Sequence, residues 1–311
     1  MNKQITVRSL NISEKKGTRK LPASQAEITD TGIKGDAHSG TWHRQISMLG
    51  TESIKKQEEL LKRPLKFGEF AENITTEGFL IFKAQPLDRF VSDKVILEVT
   101  QIGKKCHGDR CIIFKETGNC VMPKEGIFCR VITSGQLRVG DKLDYFPKVF
   151  TLKIITLSDR ANAGIYSDRS GKLIVNEIEK WFTENSLLYS IDKVILPDDK
   201  EAFNKELEAS KSEGIDLVIS TGSTGLGSRD IAPSIINRQL DLELPGIMEM
   251  IRIKYGMENP RALLSRSVAG VAGKTLIFGL PGSTRAVKEY LQEIFKILKH
   301  TFYMIHDIDD H

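Results

Sequence analysis

The run Ile215-Asp216-Leu217-Val218-Ile219-Ser220-Thr221-Gly222-Ser223-Thr224-Gly225 decides the fold of the second half of the chain. Its first six residues read as a strand, and the strand empties into a glycine-rich loop. Strands buried on both faces belong to parallel sheets covered by helices. Outward from this run the same rhythm repeats. Phe150 to Leu157 is a near-continuous apolar strand, followed by a helix expected from about Ser170 to Phe182. A second strand is expected near Tyr189 to Leu196, then a helix at Lys200 to Glu213. Thr275 to Phe278 leads into Pro281-Gly282 and one long last helix, in which Val287, Leu291, Ile294, Leu298 and Phe302 recur at helical spacing. Strands alternating with helices predict an α/β three-layer domain with a mostly parallel sheet over residues 148–311.

Residues 1–147 have a different texture. Val95 to Val99 and Phe128 to Ile132 are short β-branched runs, and turn signals recur at Thr31-Gly32, Glu77-Gly78 and Val139-Gly140-Asp141. Short strands with Gly-bearing turns predict an all-β barrel with few helices, one of them at about Gly50 to Leu61. The boundary is expected near Asp144 to Lys148. Two domains suit 311 residues at roughly 150 per domain.

A net charge of +4 is small for this length, and no basic stripe is interleaved with aromatics, so nucleic acid is not an expected partner. The run from Lys55 and Lys56 to Lys66 is mixed with Glu58 and Glu59 and reads as a solvated helix face. No stretch has the length of a signal peptide's apolar core or of a membrane helix, which sets the expectation of a cytoplasmic protein. In such a reducing compartment Cys106, Cys111, Cys120 and Cys129 are expected as thiols or ligands rather than disulfides.

Ligands of a parallel sheet sit beyond the carboxyl ends of its strands. Three loops fall there: Leu157-Ser158-Asp159-Arg160 leading to Asp168-Arg169-Ser170-Gly171, Ser220 to Asp230, and Gly279-Leu280-Pro281-Gly282-Ser283-Thr284. Glycines let backbone approach an anion, and helix starts present free N–H groups to it. Ser223, Thr224, Ser283 and Thr284 add hydroxyls. Asp198, Asp199 and Asp230 are placed to hold Mg²⁺ against phosphate oxygens, or else to cap the helices that follow them. Gly273-Lys274-Thr275 imitates the end of a P-loop, but Val268 stands where that motif needs glycine and a strand follows, so it reads as a turn.

Leu157-Ser158-Asp159, Asp168 to Gly171, Pro197-Asp198-Asp199, Thr221 to Gly225 with Arg229-Asp230, Leu263-Leu264-Ser265-Arg266-Ser267 and Leu280-Pro281-Gly282 occur in that order. Together they resemble the molybdopterin adenylyltransferase family, with its MoaB/Mog-type molybdopterin-binding fold. The resemblance implies AMP transfer from ATP to molybdopterin with release of pyrophosphate, a requirement for Mg²⁺, and a homotrimer formed through this domain. It maps the acidic catalytic and metal-holding pair onto Asp198 and Asp230. Ligand contacts map onto Ser158, Asp159, Thr221, Gly222, Ser223, Thr224, Gly225, Arg229, Ser265, Ser267, Pro281, Gly282 and Ser283. One residue departs from the pattern: the family's loop usually carries glycine where this chain has Ser223.

In the first half, Cys106-His107, Cys111 and Cys120 lack the close pairing of a zinc ribbon or finger. Buried inert cysteine, or a thiol that ligates a soft metal or carries sulfur, remain as readings. Gly35-Asp36-Ala37-His38, Arg44-Gln45, Gly68 to Asn73, Arg110-Cys111 and Val139-Gly140-Asp141 resemble the MOSC domain of molybdenum cofactor sulfurases. That resemblance implies a β-barrel that binds molybdenum cofactor or handles its sulfur, with Cys111 as the functional thiol and cofactor ligand. Lys34, His38 and Arg44 could grip the cofactor's phosphate or serve surface and structural roles. The two resemblances meet in molybdenum cofactor biosynthesis, with acceptor molybdoenzymes or a molybdenum-insertion protein as further partners. A carrier that binds molybdopterin without turnover is the alternative, and a reductase built on bound cofactor a third reading.

Overall fold

The computed structural model describes residues 3–105 and 120–308. Cys106, His107, Arg110 and Cys111 lie outside the described residues. The chain forms two compact units, one running to Lys148 and rejoined by the chain from Asp307 onward, the other spanning Val149–His306.

In the first unit, eleven strands are described: β1 (Lys3–Ile12), β2 (Leu21–Ala23), β3 (Gln25–Thr29), β4 (Gly32–Ile33), β5 (Ile46–Gly50), β6 (Ile74–Glu77), β7 (Arg89–Val91), β8 (Ile96–Ile102), β9 (Ile127–Thr133), β10 (Gly135–Arg138) and β11 (Lys142–Phe146). The main sheet runs β11-β7-β8-β9-β5-β6-β1-β2, and β11 also pairs with β1, which closes a barrel. Closure begins at Lys3 opposite Tyr145 and runs to Thr6 opposite Lys142. A bulge between Val7 and Ser9 in β1 shifts the inward parity from Ile5 and Val7 to Leu10. Such an extra residue bends a strand and turns the side chains beyond it over to the other face. β10, β3 and β4 form a second small sheet. Among the described residues the helices here are few: α1 (Thr51–Leu61), started by Gly50, the single turn α2 (Met122–Glu125), and a 3-10 turn at Ile81–Lys83. Lys55, Lys56 and Glu59 stand exposed on α1, the solvated face that their mixed charge implies.

The second unit is built on β12 (Val149–Leu157), β13 (Leu188–Leu196), β14 (Leu217–Thr221), β15 (Leu242–Glu243), β16 (Val268–Ala272) and β17 (Thr275–Leu280), in the order β13-β12-β14-β17-β16-β15. The first four in that order are parallel, while β16 and β15 run antiparallel, so the sheet is mixed. β16 and β17 are joined at Gly273, which has φ 61, and that turn is where the P-loop imitation lies. Helices follow the strands: α3 (Asp159–Asn162), α4 (Arg169–Glu184), α5 (Lys200–Ser212), α6 (Ala232–Gln239), α7 (Pro245–Gly256), α8 (Thr284–Ile294) and α9 (Leu298–Ile305). Ile155, Val218 and Ile277 face Phe203 and Leu207 of α5 and Ile235 and Ile236 of α6. Phe150 points the other way, with its ring 4.7 Å from that of Phe302 and 5.7 Å from that of Phe182. Trp181 stacks on Phe295 at 5.7 Å.

The single long last helix is corrected to two. Lys296 N–H donates to Glu293 and Ile297 N–H to Ile294, three residues back, so the helix tightens and ends before α9 begins. Val287, Leu291, Ile294, Leu298 and Phe302 are nonetheless all buried, because the apolar stripe continues across the break.

Candidate active site in the second unit and a cavity in the barrel

The three loops beyond β12, β14 and β17 come together. Gly222 has φ 102, and a Cβ there would lie 2.4 Å from the Leu157 carbonyl oxygen, so the first and second loops touch backbone to backbone only because this residue is glycine. Gly222 N–H donates to Leu280 O at 3.0 Å, and Thr221 Oγ1 donates to Pro281 O at 2.9 Å. The third loop is thereby tied to the second. Its Gly282 would place a Cβ 3.4 Å from Gly222 Cα. Ser283 caps α8 by accepting from Ala286 N–H at 3.2 Å.

Ser223 takes φ 56, a conformation that glycine adopts freely and serine rarely. Its hydroxyl donates to Arg229 O at 2.8 Å and accepts from Ile231 N–H at 2.9 Å. A glycine could make neither bond. Asp230 Oδ2 accepts from Gly227 N–H at 2.7 Å, and Asp230 N–H returns a bond to Gly227 O at 3.0 Å. Asp230 therefore closes the turn that leads into α6 rather than capping that helix, whose N-cap, Ile231, offers no side-chain bond. Arg266, within the expected Leu263 to Ser267 motif, donates from Nε to Gly225 O at 2.8 Å and from Nη2 to Asp230 O at 2.5 Å. Its part was missed from sequence, since the carbonyls it holds lie some forty residues upstream.

Asp198 and Asp199 divide the two roles left open for them. Asp199 is the cap, accepting from Ala202 N–H at 2.8 Å. Asp198 turns to the first loop: its N–H donates to Asp159 Oδ1 at 3.0 Å. Burial chiefly pushes the Asp198 carboxyl above the usual carboxylate range, and the neighbouring Asp159 carboxylate adds to it. Arg229 Nη1 lies 3.4 Å from Asp159 Oδ2. Ser158 caps α3 and its Oγ lies 3.1 Å from the Tyr166 hydroxyl, a neighbour the sequence did not single out. One pocket is lined by Ser158, Asp159, Asp198, Ser223, Arg229 and Asp230. Thr224 and Ser267 are buried; Ser267 lies 2.6 Å from Ser265 Oγ and donates to the Tyr290 hydroxyl at 3.2 Å. They brace the site, whereas Ser265 is partly open.

No group of three or more His, Cys, Asp or Glu side chains among the described residues is arranged to hold a metal. Mg²⁺ does not need one: it keeps several waters and is typically held by one or two carboxylates together with substrate phosphates. The hard oxygens of Asp198 and Asp230 in one pocket fit that donor set.

In the barrel, a cavity of about 350 Å³ is lined by Lys16, His38, Trp42, Arg44, Asn73 and Lys104, among others. That volume is in the range of small-molecule sites. Arg44 stacks on Trp42, its guanidinium carbon 4.8 Å from the ring centre, and its buried Nε has no hydrogen-bond partner among the described residues. His38 is oriented from behind by a buried pair. Lys20 Nζ donates to Asp36 Oδ1 at 2.7 Å and sits 3.2 Å from His38 Nδ1. Burial works against the Asp36 charge, yet His38 and Lys20 hold its carboxyl well below the usual range. Lys34 is elsewhere, exposed and paired with Glu27 at 2.7 Å. Lys16, Trp42 and Lys104 were missed, because nothing local marks them as neighbours. Cys129 is a buried thiol beside Met48, its pKa driven up by burial, and so an inert core residue.

No helix among the described residues is long and apolar enough to cross a membrane. Residues 153–300 match the family described as "Probable molybdopterin binding domain", and residues 35–144 match the MOSC domain. The molybdopterin adenylyltransferase of Helicobacter pylori is 35% identical over 148 residues, which span 47% of this chain and 82% of that protein. The molybdopterin adenylyltransferase of Pyrococcus furiosus is 39% identical over 164 residues, 50% of this chain and 92% of that protein. Among solved structures, the tungsten cofactor synthesizing protein MoaB from Pyrococcus furiosus is 36% identical, covers 50% of this chain and 99% of its own, and has a TM-score of 0.44. With its loops in this arrangement and relatives matched over most of their length, the second half of the chain belongs to the molybdopterin-binding family of the molybdopterin adenylyltransferases, and the first half carries a MOSC domain.

Proposed function

We propose that the second unit adenylylates molybdopterin, using ATP with Mg²⁺ and releasing pyrophosphate. The observation that carries this reading is the single pocket in which Asp159, Asp198, Asp230 and Arg229 surround the Ser223 loop. It is supported by the names of the relatives matched over the same residues. The chemistry asks for positioning and charge neutralisation more than for a covalent intermediate. An oxygen of the molybdopterin phosphate attacks the α-phosphorus of ATP, and the bond to the β-phosphate oxygen breaks. Both reactants are anions and repel each other. The backbone of Ser223 to Gly225 offers N–H groups to phosphate oxygens, the Gly222 N–H being held by Leu280 O. Arg229 offers a cation whose pairing with Asp159 is solvent-exposed, its side chain being 83% exposed. Asp198 and Asp230 would hold Mg²⁺, whose contribution when bound is to neutralise phosphate charge.

The test is incubation with molybdopterin, ATP and Mg²⁺, following adenylylated product and pyrophosphate. Asp230→Asn and Asp198→Asn are each expected to lower turnover by about a hundredfold, the scale of losing one transition-state electrostatic contact. Undiminished turnover in both variants would remove the assignment. Binding of molybdopterin with no pyrophosphate release would leave the carrier reading in its place. A homotrimer belongs to the same reading and is checked by light scattering.

For the barrel we infer binding of molybdenum cofactor or of its sulfur-bearing form. The support is a cavity with Lys16, Arg44 and Lys104 on its wall and a buried Arg44 Nε that has no hydrogen-bond partner among the described residues. Cys111 is the proposed thiol. Cys111→Ser, compared with Cys106→Ser and Cys120→Ser, is expected alone to abolish cofactor retention, and equal retention in all three would end that role.

A further inference from the structure

We propose that a second cleft of the same unit, lined by Lys200, Ser228, Ser234, Arg238 and Arg266, holds the polyphosphate tail of the nucleotide and then the pyrophosphate it becomes. The inference rests on the adenylyl-transfer reading and adds a subsite to it. The two clefts share the Gly227, Ser228 and Asp230 turn as a common wall. Their charges differ. The first has Asp159, Asp198 and Asp230 against Arg160 and Arg229, a balance that suits phosphate carried with a cation. The second has Lys200, Arg238 and Arg266 against Asp230 alone.

Within the second cleft the cations have different duties. Arg266 is engaged with the carbonyls of Gly225 and Asp230 and so sets the shape of the wall. The side chains of Lys200 and Arg238 make no hydrogen bond or ion pair among the described residues. Ser228 and Ser234 add hydroxyl donors between them. Two uncommitted cations and two hydroxyls match a di- or triphosphate better than a single phosphate, and Arg presents a fork suited to phosphate oxygens.

The step balances without any further reactant. One P–O bond forms between the acceptor phosphate oxygen and the α-phosphorus. The bridging α–β P–O bond breaks, and its electron pair leaves with pyrophosphate. Negative charge therefore builds on the leaving group, and cations fixed beside it favour its departure. Lys200 and Arg238 would accordingly select a triphosphate over a monophosphate.

The experiment uses the full chain with Mg²⁺ and inorganic pyrophosphate in isothermal titration calorimetry, then steady-state turnover. Lys200→Gln and Arg238→Gln are each expected to weaken pyrophosphate binding and raise the KM for ATP by about tenfold, the scale of one charge-assisted hydrogen bond. The KM for molybdopterin should not move, and Arg238→Lys should restore part of the loss. Pyrophosphate affinity unchanged in both variants overturns the subsite, as does a loss confined to molybdopterin. If the wild-type chain binds pyrophosphate through these two residues yet transfers no AMP, the subsite stands and the adenylyl-transfer reading fails. Full turnover with both variants indistinguishable from wild type removes the subsite and leaves adenylyl transfer standing.

Discussion

At Ser223 two local rules pull in opposite directions. A non-glycine residue in the left-handed region costs roughly 1–2 kcal/mol. The two hydrogen bonds of its hydroxyl, to Arg229 O and from Ile231 N–H, return roughly 0.5–1.5 kcal/mol each. The sum is near zero, which is how serine can stand where the family's loop has glycine. Ser223→Ala keeps the strain and loses both bonds, so it should cost about 1–2 kcal/mol in chemical denaturation. Ser223→Gly loses the bonds but sheds the strain, and should stay within about 1 kcal/mol of wild type. Equal losses in the two variants would show that the hydroxyl does not brace the loop. The positive φ could be anticipated from the sequence, through the glycine that usually fills the position. The compensation could not, because Ile231 and the Arg229 carbonyl meet Ser223 only after the turn through Gly227 and Asp230 has closed.

Elements were legible where periodicity carries them and illegible where they end. The apolar stripe of α8 and α9 was plain in the sequence, but a tightened turn keeps the same residues facing the core and leaves no trace in the spacing. Asp198 and Asp199 show the same limit: two adjacent carboxylates after a strand look alike until one caps α5 and the other meets Asp159. Another inter-element tie left no local signal. Glu293 of α8 accepts from Lys254 of α7 at 2.6 Å and from Lys296 at 2.7 Å. Those two ammonium groups hold its carboxyl down at about 2, against 4.5 when free. The folded pKa is the lower one, so the stabilisation is complete above pH 4.5 and drains away as pH falls toward 2. Both lysines are half exposed or more, which limits the pair to about 1 kcal/mol. Glu293→Gln should lower stability at pH 7 by about that amount and flatten the acid limb of the stability curve between pH 4.5 and 2. An acid limb identical to wild type would count against the pairing.

For the whole molecule, the change from barrel-like to α/β texture was readable in composition and rhythm alone. The sense of β15 and β16 was not, since strand direction depends on how the connecting segments return, and their short, small-residue sequences carry no mark of it. Each unit has its own buried core. The Pyrococcus furiosus relative is matched over 92% of its length by 50% of this chain, so a stretch of this size stands elsewhere as a protein by itself. We therefore expect residues 149–311, expressed alone, to fold and to retain AMP transfer within about threefold, which is small against the hundredfold expected for an active-site aspartate. A fragment that is soluble and folded by circular dichroism but inactive would show that the barrel contributes to the reaction.

The chain has two tryptophans, one in each unit. Trp42 lies on the barrel cavity under Arg44, 38% exposed, and Trp181 is packed against Phe182 and Phe295. Their emission should differ accordingly, red-shifted for the wetter indole and blue-shifted for the buried one. The molecule thus carries its own pair of optical probes. Phosphate-bearing ligands of the barrel should perturb only the red component, and Trp42→Phe should silence that response while leaving the blue signal to follow the unfolding of the second unit.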